Sequence, residues 1–167
     1  MLYVRLHACR RAPRPARGRG FTLLELMATV VVIGLLAAIA LPSYSAIIAK
    51  QKVAQAGRDL GEIAMLIERY RTLRFSVPES LSDLGPNVNL PKDPWGRDYQ
   101  YLNFNSPAPG ATGMIRKDHN LHPLNSAFDL YSLGKDGQSQ PPLTAAASRD
   151  DVIWAQDGGF VGLAEDY

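Results

Sequence analysis

The side chains best suited to chemistry in this sequence are aspartates near its carboxyl end. Residues 129–157 hold five acids, Asp129, Asp136, Asp150, Asp151 and Asp157, against two bases, Lys135 and Arg149. Calcium accepts about six to eight oxygen ligands in irregular geometry, so a glycine-bounded loop with an acid at each end suits this ion. The spacing is not that of an EF-hand. An ordinary Asp136-Gly137 turn is the alternative.

A second group of polar residues, Asp118, His119 and His122, forms only a weak zinc pattern, and we interpret it as part of a surface loop. The sequence has no serine nucleophile elbow, Walker loop or dinucleotide fingerprint. Its single cysteine, Cys9, precedes the body of the chain, which excludes a disulfide scaffold there. We therefore expect no catalysis, and the interleaved acids and bases argue against nucleic-acid binding.

Charge is distributed unevenly along the chain. The 167 residues contain 18 Lys and Arg against 16 Asp and Glu. Six of these bases, and no acid, lie in residues 1–20: Arg5, Arg10, Arg11, Arg14, Arg17 and Arg19. Residues 21–167 are left with 12 bases against 16 acids. A basic leader therefore precedes an acidic body.

Residues 21–41 form an apolar segment whose single charge is Glu25. A helix of this length covers about 30 Å and can span a bilayer. The arginines before it predict a single pass through a membrane, with a cytoplasmic N-terminus and a periplasmic or extracytoplasmic body. A cleavable secretory signal ending at Ala38-Ile39-Ala40 is the alternative, although the segment is long for one. A carboxylate inside a membrane helix also indicates a functional role.

The sequence Gly20-Phe21-Thr22-Leu23-Leu24-Glu25-Leu26 resembles the class III signal of type IV pilins and pseudopilins. The resemblance implies that a prepilin peptidase cuts between Gly20 and Phe21 and N-methylates Phe21. It also implies that Glu25 pairs with the Phe21 amine of a neighbouring subunit during filament assembly.

The body of the chain predicts one long helix and a small sheet. We expect Pro42 to interrupt the helix. Beyond it, apolar residues at spacings of three and four predict an amphipathic helix to about residue 73: Val53, Ala56, Leu60, Ile63, Ile67 and Tyr70. Strands are predicted at 99–102, 127–132 and 152–154, and a short one near 114–116. The expected class is α+β, a helix packed on a small antiparallel sheet, with a leader at 1–20, a membrane helix at 21–42 and a globular domain at 43–167.

Two further segments, Asp93-Pro94-Trp95-Gly96 before Tyr99-Gln100-Tyr101, and Ser132-Leu133-Gly134-Lys135-Asp136-Gly137, resemble the major pseudopilin of type II secretion systems. The match covers roughly residues 15–102 and 127–154. It implies a pilin-like structural subunit of a periplasmic pseudopilus, which helps to drive export of folded proteins. The implied partners are further copies of the chain, minor pseudopilins, the prepilin peptidase and an inner-membrane assembly platform.

In that family the C-terminal loop binds calcium through backbone carbonyls and aspartates. The matching positions are Leu130, Leu133, Asp136, and Asp150 or Asp151. This sequence departs from the family at residues 138–142 and in the following alanine run. A long insert at about 103–126 keeps a type IV pilin or minor pilin in adhesion, motility or DNA uptake as an alternative, since added loops often carry specialised contacts. A membrane-anchored binding domain that does not polymerise is a third hypothesis.

Overall fold

The computed structural model describes residues 20–105, 110–119 and 121–167, which divide into two units, Met1–Pro42 and Ser43–Tyr167. The arginine-rich leader and Cys9 lie outside the described residues, as does Asn120. The longest element is helix α1 (Leu23–Arg74). Helix α1 continues through Pro42, so the predicted interruption is wrong. A proline removes only one backbone donor, and the helix-forming sequence on both sides keeps the remaining hydrogen bonds.

In the second unit, α1 buries one face as its periodicity predicts. Ala56, Leu60, Ile63, Ala64 and Ile67 are buried, and Val53 packs against them. Glu62 and Arg69 on the same helix are exposed. An apolar stripe of this kind stabilises a helix mainly through tertiary packing, at roughly 1.5–3 kcal/mol for each large side chain.

Four strands form one antiparallel sheet in chain order: β1 (Gln100–Asn103), β2 (Phe128–Ser132), β3 (Val152–Ala155) and β4 (Phe160–Leu163). Tyr101 pairs with Leu130, Leu130 with Trp154, and Trp154 with Val161. The three predicted strands at these positions are confirmed to within one residue. Strand β4 was not predicted. The strand expected near 114–116 is wrong, because helix α2 (Ala111–Met114) occupies its start.

Short 3₁₀ helices complete the described elements at Leu81–Leu84, Ala146–Ser148, Gln156–Gly158 and Ala164–Asp166. The α+β class, a long helix with a small antiparallel sheet, is confirmed. Both faces of the sheet are covered. Because side chains alternate along a strand, Val152 and Trp154 face the α1 core while Ile153 and Ala155 join a second cluster with Leu143.

The α1 side of the sheet is built around aromatic rings. Phe128 is 1% exposed and stacks on Trp154, with ring centroids 4.9 Å apart. Tyr101 packs on the same phenyl ring at 5.7 Å. This cluster fixes β2 and β3 against each other on the α1 side of the sheet.

Candidate functional site

The first candidate site is the start of helix α1. Gly20 and Phe21 precede the helix, and Phe21 is 78% exposed. Thr22 caps the helix: its Oγ1 accepts a hydrogen bond of 3.2 Å from the backbone N–H of Glu25. Glu25 lies in the first turn, where the helix dipole favours a negative charge. The cap therefore fixes the backbone of the first turn, in which Glu25 lies four residues after Phe21.

The segment that follows is apolar on every face. Its large apolar side chains between Leu23 and Leu41 are each between 55% and 79% exposed. The segment is long and apolar enough to cross a membrane. Exposed apolar area on this scale requires lipid or other apolar helices around it.

The second candidate site is the turn at residues 93–97. Asp93 is 3% exposed, and its Oδ1 accepts the backbone N–H groups of Trp95 at 3.1 Å and Arg97 at 2.8 Å. Its Oδ2 accepts the Ser132 hydroxyl at 2.7 Å. Gly96 has a φ of 90°, which the turn requires and which only glycine adopts readily. The carboxylate thus holds its own turn and joins it to the end of β2.

The third candidate site is the acidic loop between β2 and β3. The structure brings Asp136 and Asp150 together: Asp150 Oδ2 accepts the backbone N–H groups of Lys135 at 2.7 Å and Asp136 at 2.9 Å. Asp136 Oδ1 accepts the N–H of Gln138 at 2.8 Å. Both carboxylates are therefore engaged in fixing the backbone of the loop.

The other predicted calcium ligands are placed differently. Asp151 is fully buried, and its Oδ2 accepts hydrogen bonds from Arg116 Nη2 and from the Ser139 hydroxyl, the latter at 2.5 Å. The Leu133 carbonyl accepts the N–H of Gly137 at 3.1 Å, and Leu130 pairs with both neighbouring strands. Within the described residues, no three His, Cys, Asp or Glu side chains converge. The Arg116 guanidinium thus occupies Asp151 Oδ2, so this oxygen does not fit the implied calcium ion.

A buried carboxylate next to this loop carries a shifted pKa. Asp129 is 1% exposed, and burial raises its pKa to about 6, although hydrogen bonds from the backbone N–H of Arg116 and from Asn125 favour the charged form.

The residues of the weak zinc pattern lie in the loop between α2 and β2. The His119 ring contacts the Asp118 carboxylate at 2.9 Å. His122 is exposed and makes no metal cluster with them among the described residues.

Comparisons with known proteins agree with the first site. Residues 16–41 match the prokaryotic N-terminal methylation motif. The chain is 34% identical to the type II secretion system core protein G of Pseudomonas aeruginosa, over 71% of this chain and 84% of that protein.

The chain belongs to the core protein G family of type II secretion systems.

Two further relatives carry the same name. The core protein G of Vibrio cholerae is 32% identical over 76% of this chain and 87% of its own length. The core protein G of Escherichia coli is 32% identical over 72% of this chain and 83% of its own length. No solved structure matched the chain significantly. This pseudopilin is thus a structural subunit of the pseudopilus, and the methylation motif supports that role over the alternatives.

Sequence reasoning missed two arginines that organise this pseudopilin. Arg97 Nη2 donates to the Gly134 carbonyl, and Arg116 donates to Asp151. Both contacts join residues more than 30 positions apart in the chain. The position of Arg97 directly after the Asp-Pro-Trp-Gly turn could have indicated its contact with Gly134, since the turn sets the direction of the following side chain. Arg116 carried no signal in its own segment.

Proposed function

We propose that this pseudopilin is cut between Gly20 and Phe21 by a prepilin peptidase, N-methylated on Phe21, and held in the inner membrane by residues 21–41. The observation that carries the proposal is the exposed apolar surface of residues 21–41, in which Glu25 is the single charged residue. The methylation motif at residues 16–41 supports the same cut. Lipid covers this surface before assembly, and neighbouring helices replace lipid in the filament.

The orientation of the chain follows from its charges. Six arginines precede residue 21, whereas Lys50 and Lys52 are the nearest bases after residue 41. Cytoplasmic flanks carry the excess of Lys and Arg, so the leader stays in the cytoplasm and residues 43–167 enter the periplasm.

Glu25 sets the register between subunits. A carboxylate inside a membrane helix costs about 2.5–3.5 kcal/mol on insertion scales, so an opposite charge nearby is strongly favoured. Cleavage after Gly20 creates an α-amino group on Phe21, four residues from Glu25. A helix neighbour shifted along the filament axis presents this amine to the Glu25 carboxylate.

The partners of the assembled chain are further copies of itself, minor pseudopilins and an inner-membrane assembly platform. Its relatives are named core protein G of type II secretion systems, and we propose a structural, non-catalytic role for this chain. No contact with nucleic acid is proposed, because bases along the body are interleaved with acids.

Assembly in cells tests the proposal. Glu25→Gln, expressed with the secretion components, is expected to reach wild-type levels in the membrane while the yield of sheared filaments falls at least about tenfold. Glu62→Gln is the matched control, because Glu62 is an exposed acid on the same helix outside the apolar segment. Normal filament yield from Glu25→Gln contradicts the register role.

Cysteine labelling tests the orientation, because Cys9 in the leader is the chain's own single thiol. Lys92→Cys introduces a thiol at an exposed position of the body. A membrane-impermeant maleimide is expected to label this variant in intact spheroplasts. Labelling only after lysis places the body in the cytoplasm and rejects the orientation.

A further inference from the structure

The insert at residues 103–126 delivers an arginine into the interior of the second unit. Arg116 is 2% exposed, a degree of burial that arginine rarely shows unless it is paired. Its backbone N–H donates to Asp129 Oδ2 at 2.6 Å, which fixes the chain beside β2. The side chain is thereby directed toward the acidic loop before β3.

The Arg116 guanidinium joins several parts of that loop. Its Nη2 donates to Asp151 Oδ2, and its Nη1 donates to the Ser139 hydroxyl at 2.6 Å and to the Gln140 carbonyl. The guanidinium carbon lies 4.0 Å from the centroid of the Tyr131 ring. One cation therefore fastens residues 139–140 and 151 to strand β2.

A second guanidinium contacts the glycine turn of the same loop. Arg97 Nη2 donates to the Gly134 carbonyl. A β-carbon at Gly137 would lie 2.5 Å from Arg97 Nη1, so the turn approaches the guanidinium as closely as a glycine allows. Arg97 Nε also lies 3.8 Å from Asp93 Oδ2, which orients the side chain.

We propose that Arg116, assisted by Arg97, performs in this pseudopilin the loop-fastening role that the family resemblance assigns to calcium, and that the fold is stable without calcium. The planar guanidinium supplies several directed donors, which match the carboxylate, hydroxyl and carbonyl oxygens around it. Asp151, one of the expected calcium ligands, is already paired with the Arg116 guanidinium.

The pair between Arg116 and Asp151 is sensitive to loss of either partner. Both side chains are at least 97% buried, with exposed fractions of 3% and 0%. Arg116 Nε and Asp151 Oδ1 have no hydrogen-bond partner among the described residues, so each side chain relies on its remaining contacts. Removal of Arg116 leaves a buried carboxylate without a counter-charge, which is strongly destabilising.

Thermal unfolding of the full chain in detergent tests the proposal, with tryptophan fluorescence as the signal. For the wild-type chain we expect the same Tm, within about 1 °C, in excess EDTA and in excess calcium chloride. Arg116→Met is expected to lower Tm by about 10 °C, with no restoration by calcium. Arg149→Met is the matched control, because Arg149 is exposed in the same loop, and its Tm should stay unchanged.

The wild-type measurement decides the proposal even if Arg116→Met fails to fold. A wild-type Tm that falls by several degrees in EDTA and recovers with calcium overturns it. Saturable terbium luminescence from the wild-type chain, displaced by calcium, also overturns it. A Tm for Arg116→Met equal to that of Arg149→Met rejects the role of Arg116.

Discussion

The hydroxyl group of Tyr99 donates a hydrogen bond of 2.8 Å to Oδ2 of Asp59, which joins the residue before β1 to helix α1 across 40 positions of the chain. The Tyr99 side chain is otherwise in the core, with 5% of the residue exposed. The bond therefore anchors the first edge of the sheet to the helix. Tyr99 belongs to the same core cluster as Leu60, Ile63 and Val152.

Removing this hydroxyl should weaken the second unit and change its response to alkaline pH. Tyr99→Phe is expected to lose about 1–2 kcal/mol of unfolding free energy at pH 7, since the bond is made to a carboxylate. Burial, and then the bond to Asp59, raises the pKa of Tyr99 well above its ordinary value of 10.0. Above about pH 10 the unfolded chain releases this proton while the folded chain keeps it, so stability falls as pH rises.

The measurement is urea unfolding of the full chain in detergent between pH 7 and pH 11. Tyr99→Phe should fall less steeply than the wild type above pH 10, by up to about 1.4 kcal/mol per pH unit. Tyr44→Phe is the control, because Tyr44 is 66% exposed. Parallel curves for the wild type and Tyr99→Phe count against the assigned bond.

The Asp93 carboxylate offers a second prediction. It accepts the Trp95, Arg97 and Ser132 hydrogen bonds in a buried position, so Asp93→Ala leaves three donors without their acceptor. We expect a loss of about 2–4 kcal/mol in urea unfolding. Asp98→Ala is the control, because the Asp98 pair with Lys92 is exposed and should contribute less than about 1 kcal/mol. Equal losses from both variants would show that the Asp93 turn is not a stabilising element.

Local patterns in the sequence were sufficient to predict helix α1 and strands β1, β2 and β3. The spacing of Ala56, Leu60, Ile63 and Ile67 predicted the buried face of α1, because one period of the helix determines it. Strand β4 was not predicted, because Gly158 and Gly159 before it and Gly162 within it are residues typical of turns. Its strand conformation comes from pairing with β3.

The candidate sites likewise include contacts that the local sequence predicts and contacts that it does not. Thr22 and Glu25 lie within one helical turn, so the sequence contains their relationship directly. Arg116 and Asp151 are 35 positions apart, and no pattern in either segment indicates that they meet. The expected calcium ligands followed from family resemblance, whereas the insert that brings Arg116 to Asp151 departs from that family.

Asp129 provides a prediction for acidic pH. Its folded-state pKa of about 6 lies above the ordinary value of 3.8, so the folded chain binds a proton that the unfolded chain releases between these values. The resulting stabilisation is complete below about pH 4 and is lost as pH rises through about 6. From pH 7 to pH 4 the wild type should therefore gain about 2–3 kcal/mol relative to Asp129→Asn.

Urea unfolding at intervals between pH 4 and pH 7 measures this difference. Asn keeps an oxygen that can accept the N–H of Arg116, which makes it the conservative replacement. Asp157→Asn is the control, because Asp157 is an exposed acid that bonds Ser126 near the same region. A wild-type minus Asp129→Asn difference that does not vary with pH would contradict the raised pKa.

The central claim, that this chain is a processed pseudopilus subunit, is tested most directly by the N-terminus of the chain purified from membranes of cells with a prepilin peptidase. Intact-mass and N-terminal peptide mass spectrometry should find a chain that begins at Phe21 and carries one methyl group on its α-amine. A chain that begins at Leu41, or one that retains residues 1–20, would contradict the account.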